Sequence, residues 1–150
     1  MNQSIGKFFS YFLPIIVILV LYIVISRYIF GVGRADLQEL VLYMHALVFL
    51  GCAGWALAEG EHVRVDILYK DKSESYKKII NTLGLVFFVL PMVFIISFYS
   101  IDFIKLSWIL KESSTEPGGL KTVYLHKTII LLFPLVLFLA AVKQLKELWK

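Results

Sequence analysis

Few side chains in this sequence combine reactive chemistry with a place to use it. His45 is the one titratable group set well inside a long apolar run. An imidazole there is either an axial haem ligand or a buried histidine satisfied by a hydrogen bond. A haem needs a second axial donor at matching depth, and His62 and His126 both fall near the ends of apolar runs. The buried, hydrogen-bonded histidine is therefore the favoured reading, with a haem-bearing membrane anchor of a respiratory enzyme as the alternative. Cys52 is the only cysteine, which excludes an intramolecular disulfide, a dithiol redox centre and a multi-cysteine metal site. Every Asp and Glu falls near the end of an apolar run or in a polar connection. Even Asp102 follows Ile79 by about 35 Å of helical rise, which puts it at the far interface. An ion-coupled transporter complete in itself needs polar or ionisable groups, or broken helices, near the midplane. The expectation is no catalytic, substrate-binding or metal-ligating residue in this chain, no cofactor, and any solute path in another polypeptide. Arg27 and Glu39 flank a short turn and are expected to pair across it, or to meet a partner protein.

The elements that carry these residues follow from composition. Of 150 residues, 59% are hydrophobic and 17% charged, with a mean hydropathy of +0.81. Ordinary soluble domains are near half apolar and a quarter charged, so the chain suits hydrocarbon better than water. Four apolar runs, at about 8–30, 37–58, 78–110 and 122–145, are each long enough to cross about 30 Å of hydrocarbon. They leave no room for a large soluble core, and the chain reads as one membrane domain over 1–150. Lys7 is a thin positive flank and no small-x-small site follows the first run, so that run reads as a retained helix rather than a cleaved leader. Pro14, Pro91 and Pro134 fall one to a run. Membrane helices tolerate them because neighbours satisfy the freed carbonyl, and Pro91 should bend the third helix. The fold class is an all-α integral membrane protein with four transmembrane helices.

The connections add detail. Gly31 to Asp36 is a tight turn, and Asp36 with Glu39 has the D-x-x-E spacing of a capping box for helix two. Glu59 to Lys78 is a polar segment, interfacial helix or extended piece, and Asp71 or Ser73 could cap helix three. Glu116-Pro-Gly-Gly119 breaks the chain before helix four. The formal charge of +4 is scattered between apolar runs rather than gathered on one face, which argues for lipid and against nucleic acid. With both termini cytoplasmic, the inside holds nine Lys and Arg (Lys7, Arg64, Lys70, Lys72, Lys77, Lys78, Lys143, Lys146, Lys150) and the outside six. That bias favours cytoplasmic termini. Trp55, Trp108, Tyr124 and Trp149 lie where interfacial anchors belong. Ala46, Leu50, Gly54 and Ala58 recur every four residues, a largely small face that suits close packing against another helix of this chain or of a partner.

Arg27 closing helix one, Leu37-Gln-Glu-Leu40 opening helix two and the stretch Gly51-Cys-Ala-Gly-Trp-Ala-Leu-Ala-Glu-Gly-Glu-His-Val-Arg-Val-Asp-Ile67 together resemble the small membrane subunit, DctQ type, of tripartite ATP-independent periplasmic (TRAP) transporters. His62-Val-Arg-Val-Asp66 is similar to the family's H-[VI]-x-V-D signature; Glu112, Ser114 and Pro117-Gly-Gly-Leu120 resemble one branch of it. The usual doubled acid at the start of helix two is here Gln38-Glu39. The resemblance implies a bacterial inner-membrane scaffold beside a large permease subunit. That assembly works with a periplasmic substrate-binding protein in sodium-driven uptake of small organic anions, carboxylates or sulfonates. Solute and sodium sites are then expected in the large subunit. Arg27, Glu39, Ala46, Gly54 and Ala58 become candidate large-subunit or structural contacts. His62, Arg64 and Asp66 are expected to fix the cytoplasmic turn after helix two, while Lys111, Glu112, Glu116 and Lys121 are expected on a periplasmic loop that docks the binding protein.

Overall fold

The computed structural model describes residues 2–59 and 72–150, and these form helices and short connections with no strand among them. His62, Arg64, Asp66 and Asp71 lie outside the described residues. Four helical stretches are long and apolar enough to cross a membrane: Gly6–Ile29, Ala35–Glu59, Glu74–Leu110 and Val123–Leu148. Three of them are interrupted, and a proline accounts for each interruption. Proline has no N–H for the carbonyl four residues earlier, and its ring crowds that carbonyl. For Pro14 that carbonyl belongs to Ser10, where α1 (Asn2–Ser10) ends; α2 (Phe12–Ile29) starts one residue further on. For Pro91 it belongs to Phe87, inside a π-helical turn, Leu85–Val89, that separates α4 (Glu74–Gly84) from α5 (Leu90–Leu110). For Pro134 it belongs to Ile130, inside the 3-10 turn Ile129–Leu131 between α6 (Val123–Thr128) and α7 (Leu132–Leu148). Only the second span, α3 (Ala35–Glu59), has no proline, and it is unbroken.

Helix ends follow the local sequence. Ser73 caps α4, its hydroxyl accepting from the Tyr76 N–H at 3.3 Å. The capping box expected from Asp36 and Glu39 does not form. Helix α3 already starts at Ala35, and Arg34 takes the Asp36 carboxylate in a bidentate pair, Nε to Oδ1 at 3.0 Å and Nη2 to Oδ2 at 2.8 Å. A planar guanidinium two residues away competes well for that carboxylate.

Helix α3 packs along α7 and along α1, α2 packs on α3, and α5 packs on α7. The spans therefore lie side by side in the order first, second, fourth, third, with α2 and α5 at the two edges. Close approach at the centre depends on small residues. A Cβ on Gly54 would lie 2.5 Å from the Val136 carbonyl oxygen, and Ala140 and Ala141 of α7 are buried with Leu57, Leu85, Val93 and Leu137. The small face of helix two is thus used inside the chain at Gly54. Between α1 and α3, a Cβ on Gly6 would meet the Trp55 ring and one on Gly51 the Phe9 ring. All three tryptophans donate hydrogen bonds to side chains of this chain: Trp55 to Glu59, Trp108 to Thr128 and Trp149 to Thr82, at 3.1, 2.9 and 3.2 Å.

Away from these seams the surface is apolar. Val17 and Ile18 on α2 and Phe94 and Ile109 on α5 are about two-thirds or more exposed. A soluble protein rarely shows a continuous patch of this size. In hydrocarbon the same faces carry no penalty, so the layer is a multi-pass membrane protein.

Candidate functional site

Polar side chains gather at the end of the layer where α2 and α5 stop and α3 and α6 begin. The Glu39 carboxylate, one turn into α3, reaches the loop between α5 and α6. One oxygen accepts from the Ser114 hydroxyl and the other from the Leu120 N–H at 2.6 Å. The loop is shaped to receive it. Pro117 and Gly118 (φ +77°) form a turn closed by the Gly119 N–H donating to the Glu116 carbonyl at 3.0 Å, the residue pattern of a type II turn. The Ser114 N–H donates to the Leu120 carbonyl at 2.9 Å, and the Ser114 hydroxyl also accepts from the Glu116 N–H at 3.0 Å. A Cβ on Gly119 would lie 2.7 Å from Glu39 Oε1, so only glycine leaves room for the carboxylate.

A second cluster holds the start of the same loop. Lys111 ends α5 in the left-handed region (φ 47°). Its N–H donates to the Trp108 carbonyl at 3.3 Å and the Glu112 N–H to the Ser107 carbonyl at 3.1 Å, a Schellman arrangement. Lysine there carries a backbone cost that glycine would not. Its ammonium lies 4.9 Å and 5.1 Å from the Trp108 and Tyr124 ring centres, attractions that offset part of that cost. The Glu112 carboxylate accepts from the Ser107 hydroxyl at 2.6 Å and from the Lys127 ammonium at 2.5 Å. The hydrogen bond from Lys127 is the main influence holding the Glu112 carboxyl below the usual carboxylate range, with Ser107 adding to it and desolvation opposing. Between the clusters the rings of Tyr43 and His126 stack at 4.2 Å with 12° between their planes.

The candidates separate accordingly. Glu39 and Glu112 hold the loop in place, whereas Lys111, Glu116 and Lys121 are exposed on it. The expected Arg27–Glu39 pair does not form: Glu39 is engaged by Ser114 and Leu120, and Arg27 is exposed near the end of α2 with no ion pair among the described residues. The loop wins because it supplies two donors in fixed geometry against one flexible guanidinium. Ala46 and Ala58 are half-buried and Gly54 is fully buried against α7. His45 is also corrected. It is exposed on α3, its ring parallel to that of Phe49 at 6.5 Å, and not buried. Sequence reasoning missed Ser107 and Lys127. The signal available was a hydroxyl and an ammonium close to helix ends that face one connection.

Four apolar spans agree with a family comparison that covers nearly the whole chain. Residues 16–150 match the family described as tripartite ATP-independent periplasmic transporters, DctQ component. The chain belongs to the DctQ family. It is therefore the small component of a TRAP transporter, and the matched region includes all of α3, α5, α6 and α7. No curated protein and no solved structure matches this DctQ chain.

Proposed function

We propose that this DctQ subunit moves no solute itself. It acts as a fixed scaffold beside the large membrane subunit in sodium-coupled, binding-protein-dependent uptake of small organic anions across a bacterial inner membrane. The observation that carries this reading is the chemistry of the layer's buried positions. Among the described residues the buried polar side chains are Ser26 and Ser107, and both serve helix ends, Ser26 donating to the Val32 carbonyl at 3.0 Å and Ser107 to Glu112. The π turn before Pro91 consists of Leu85, Val86, Phe87, Phe88 and Val89, so it brings no polar side chain to the middle of its span. A solute or sodium path needs such groups. The large subunit is expected to supply them.

With both termini cytoplasmic, His62, Arg64 and Asp66 fix the turn after α3 on the inside, and the α5–α6 loop faces the periplasm beside the Gly31–Asp36 turn. The exposed charges Lys111, Glu116 and Lys121, with the half-buried Arg34 beside them, then contribute a rim to the docking surface for the binding protein, with Glu112 holding the loop in shape. Such charges steer encounter and set register.

Reconstitution of this subunit alone in liposomes with a sodium gradient tests the scaffold role. No uptake of organic acids above empty vesicles is expected, and any such uptake overturns it. For the loop, uptake by the full assembly is compared at rising binding-protein concentration for wild type and a Lys111→Glu, Lys121→Glu double variant. A rightward shift that fades with salt is expected. Superimposed curves at low salt remove the loop from the docking surface. In a Cys52→Ser background, a cysteine at Lys72 should label from the cytoplasmic side; ready labelling from the periplasm inverts the topology.

A further inference from the structure

The outer face of α3 differs from the other outer faces of the layer. Gln38, Leu42, His45 and Phe49 are all exposed, and their spacing of four, three and four residues lines them up along one side of the helix. The opposite side is buried at Met44, Gly51, Gly54 and Leu57. His45 follows the first residue of α3 by about 15 Å of rise and precedes the last by about 21 Å, which puts it within a few ångströms of mid-depth. At comparable depth the exposed side chains of α2 include Val17 and Ile18 and those of the third span include Phe88, in its π turn, and Phe94 of α5. Acyl chains solvate those completely. They offer nothing to an imidazole, which carries both an N–H donor and a nitrogen acceptor. Within the chain His45 meets the Phe49 ring and makes no hydrogen bond to a described residue. Ionisable side chains inside membranes almost always face protein or a water-filled cavity, because a polar group left unpaired in hydrocarbon is costly.

We propose that the stripe Gln38, Leu42, His45 and Phe49 is the contact through which the large membrane subunit packs on this protein, with His45 hydrogen-bonded at mid-bilayer to a polar group of one of its helices. The inference rests on the scaffold reading above and specifies the surface used. Three points select this occupant. The binding protein is outside the bilayer and cannot reach mid-depth. Lipid tails cannot hydrogen-bond. The stripe is central in the layer, since α3 lies between the first span and α7, so a partner seated there braces all four spans rather than one edge.

The test uses the assembled transporter, with the two membrane subunits co-expressed and a photoreactive benzoylphenylalanine placed singly at Leu42, Phe49, Ile18 or Phe94. Irradiation in membranes is expected to join the two subunits from positions 42 and 49, with the large subunit identified in the adduct by mass spectrometry. Positions 18 and 94 should give lipid adducts. A second arm measures association of fluorescently labelled subunits in proteoliposomes. His45→Leu is expected to weaken it by about three- to tenfold, the range of one interhelical hydrogen bond in a membrane. His45→Asn should recover part of the loss, while the melting temperature of the isolated subunit stays the same for all three proteins. Adducts to the large subunit from 18 or 94 but not from 42 or 49 overturn the surface and leave the scaffold role intact. Adducts of twice this subunit's mass from 42 and 49 assign the stripe to a second copy and overturn the proposal. Equal association of wild type and His45→Leu overturns the role of the imidazole. Failure of the wild-type subunits to associate at all removes the scaffold reading itself.

Discussion

The Glu39 carboxylate accepts a hydrogen bond from the backbone N–H of Leu120 across 81 positions of sequence, at 2.6 Å. A side chain one turn into one span thus helps determine where the connection between two others can lie. Because Ser114 donates to the same carboxylate, replacing Glu39 leaves a backbone N–H and a hydroxyl without their acceptor.

Glu39→Ala is therefore expected to destabilise the isolated subunit by about 1–3 kcal/mol, the cost of orphaning a partly buried donor. Glu39→Gln, which keeps one acceptor oxygen, should lose less. Thermal unfolding in detergent measures both, and proteolysis of the 111–122 segment should quicken in the same order. Equal melting temperatures for wild type and Glu39→Ala would show that the loop holds its shape unaided.

Gly54→Ala tests the α3–α7 seam. The added methyl would meet the Val136 carbonyl at 2.5 Å, and a backbone atom cannot step aside as a flexible side chain can. Overpacking of this kind costs about 1–3 kcal/mol. The loss should register in the melting temperature of the subunit purified alone, which separates an internal contact from one made only with a partner.

Acid weakens the second cluster in a defined direction. The Glu112 carboxyl is held below its ordinary value of 4.5, first by the hydrogen bond from Lys127 and then by Ser107. Its contribution is therefore fully present above about 4.5, where the unfolded chain is also ionised, and is lost as pH falls through the lower folded-state value. Stability curves of wild type and Glu112→Gln should run parallel above pH 5 and converge below it. A constant gap down to the acid limit would mean that Glu112 is not ionised in the folded protein.

Lys111 sets two effects against each other. Lys111→Ala keeps the left-handed backbone and removes the ammonium from above Trp108 and Tyr124, so it should be less stable than wild type and than Lys111→Gly. Lys111→Gly removes the backbone cost of about 1 kcal/mol and the ring contacts together, and should melt close to wild type. If alanine and lysine melt alike, the ring contacts add nothing.

The spans were legible in the sequence because hydropathy over 20 residues reports the solvent directly. The places where helices break were legible in part. Pro14, Pro91 and Pro134 marked them, but whether the carbonyl four residues earlier relaxes into a turn, a π-helix or a 3-10 helix depends on packing. At Pro91, where a bend was expected, the helix carries the π turn Leu85–Val89. The side of α3 that is buried was legible only in part. The small face at Ala46, Leu50, Gly54 and Ala58 marked a close helix contact, which at Gly54 is made with α7. In lipid both the inner and the outer surfaces of a helix are apolar, so hydropathy did not say whether that contact was with this chain or a partner. Long-range polar contacts were hidden for a different reason. Arg27 was the near neighbour of Glu39, while Ser114 and Leu120 came close only through the stacking order of the spans, which local sequence does not encode.

A row of spans one helix thick has a perimeter and almost no interior. Most of its side chains meet whatever lies alongside, so a copy that has found its partners and one that has not can share the same fold and differ only in a bare flank. Cellular surveillance of unassembled subunits would then have to recognise an imidazole facing lipid, because it would find nothing misfolded.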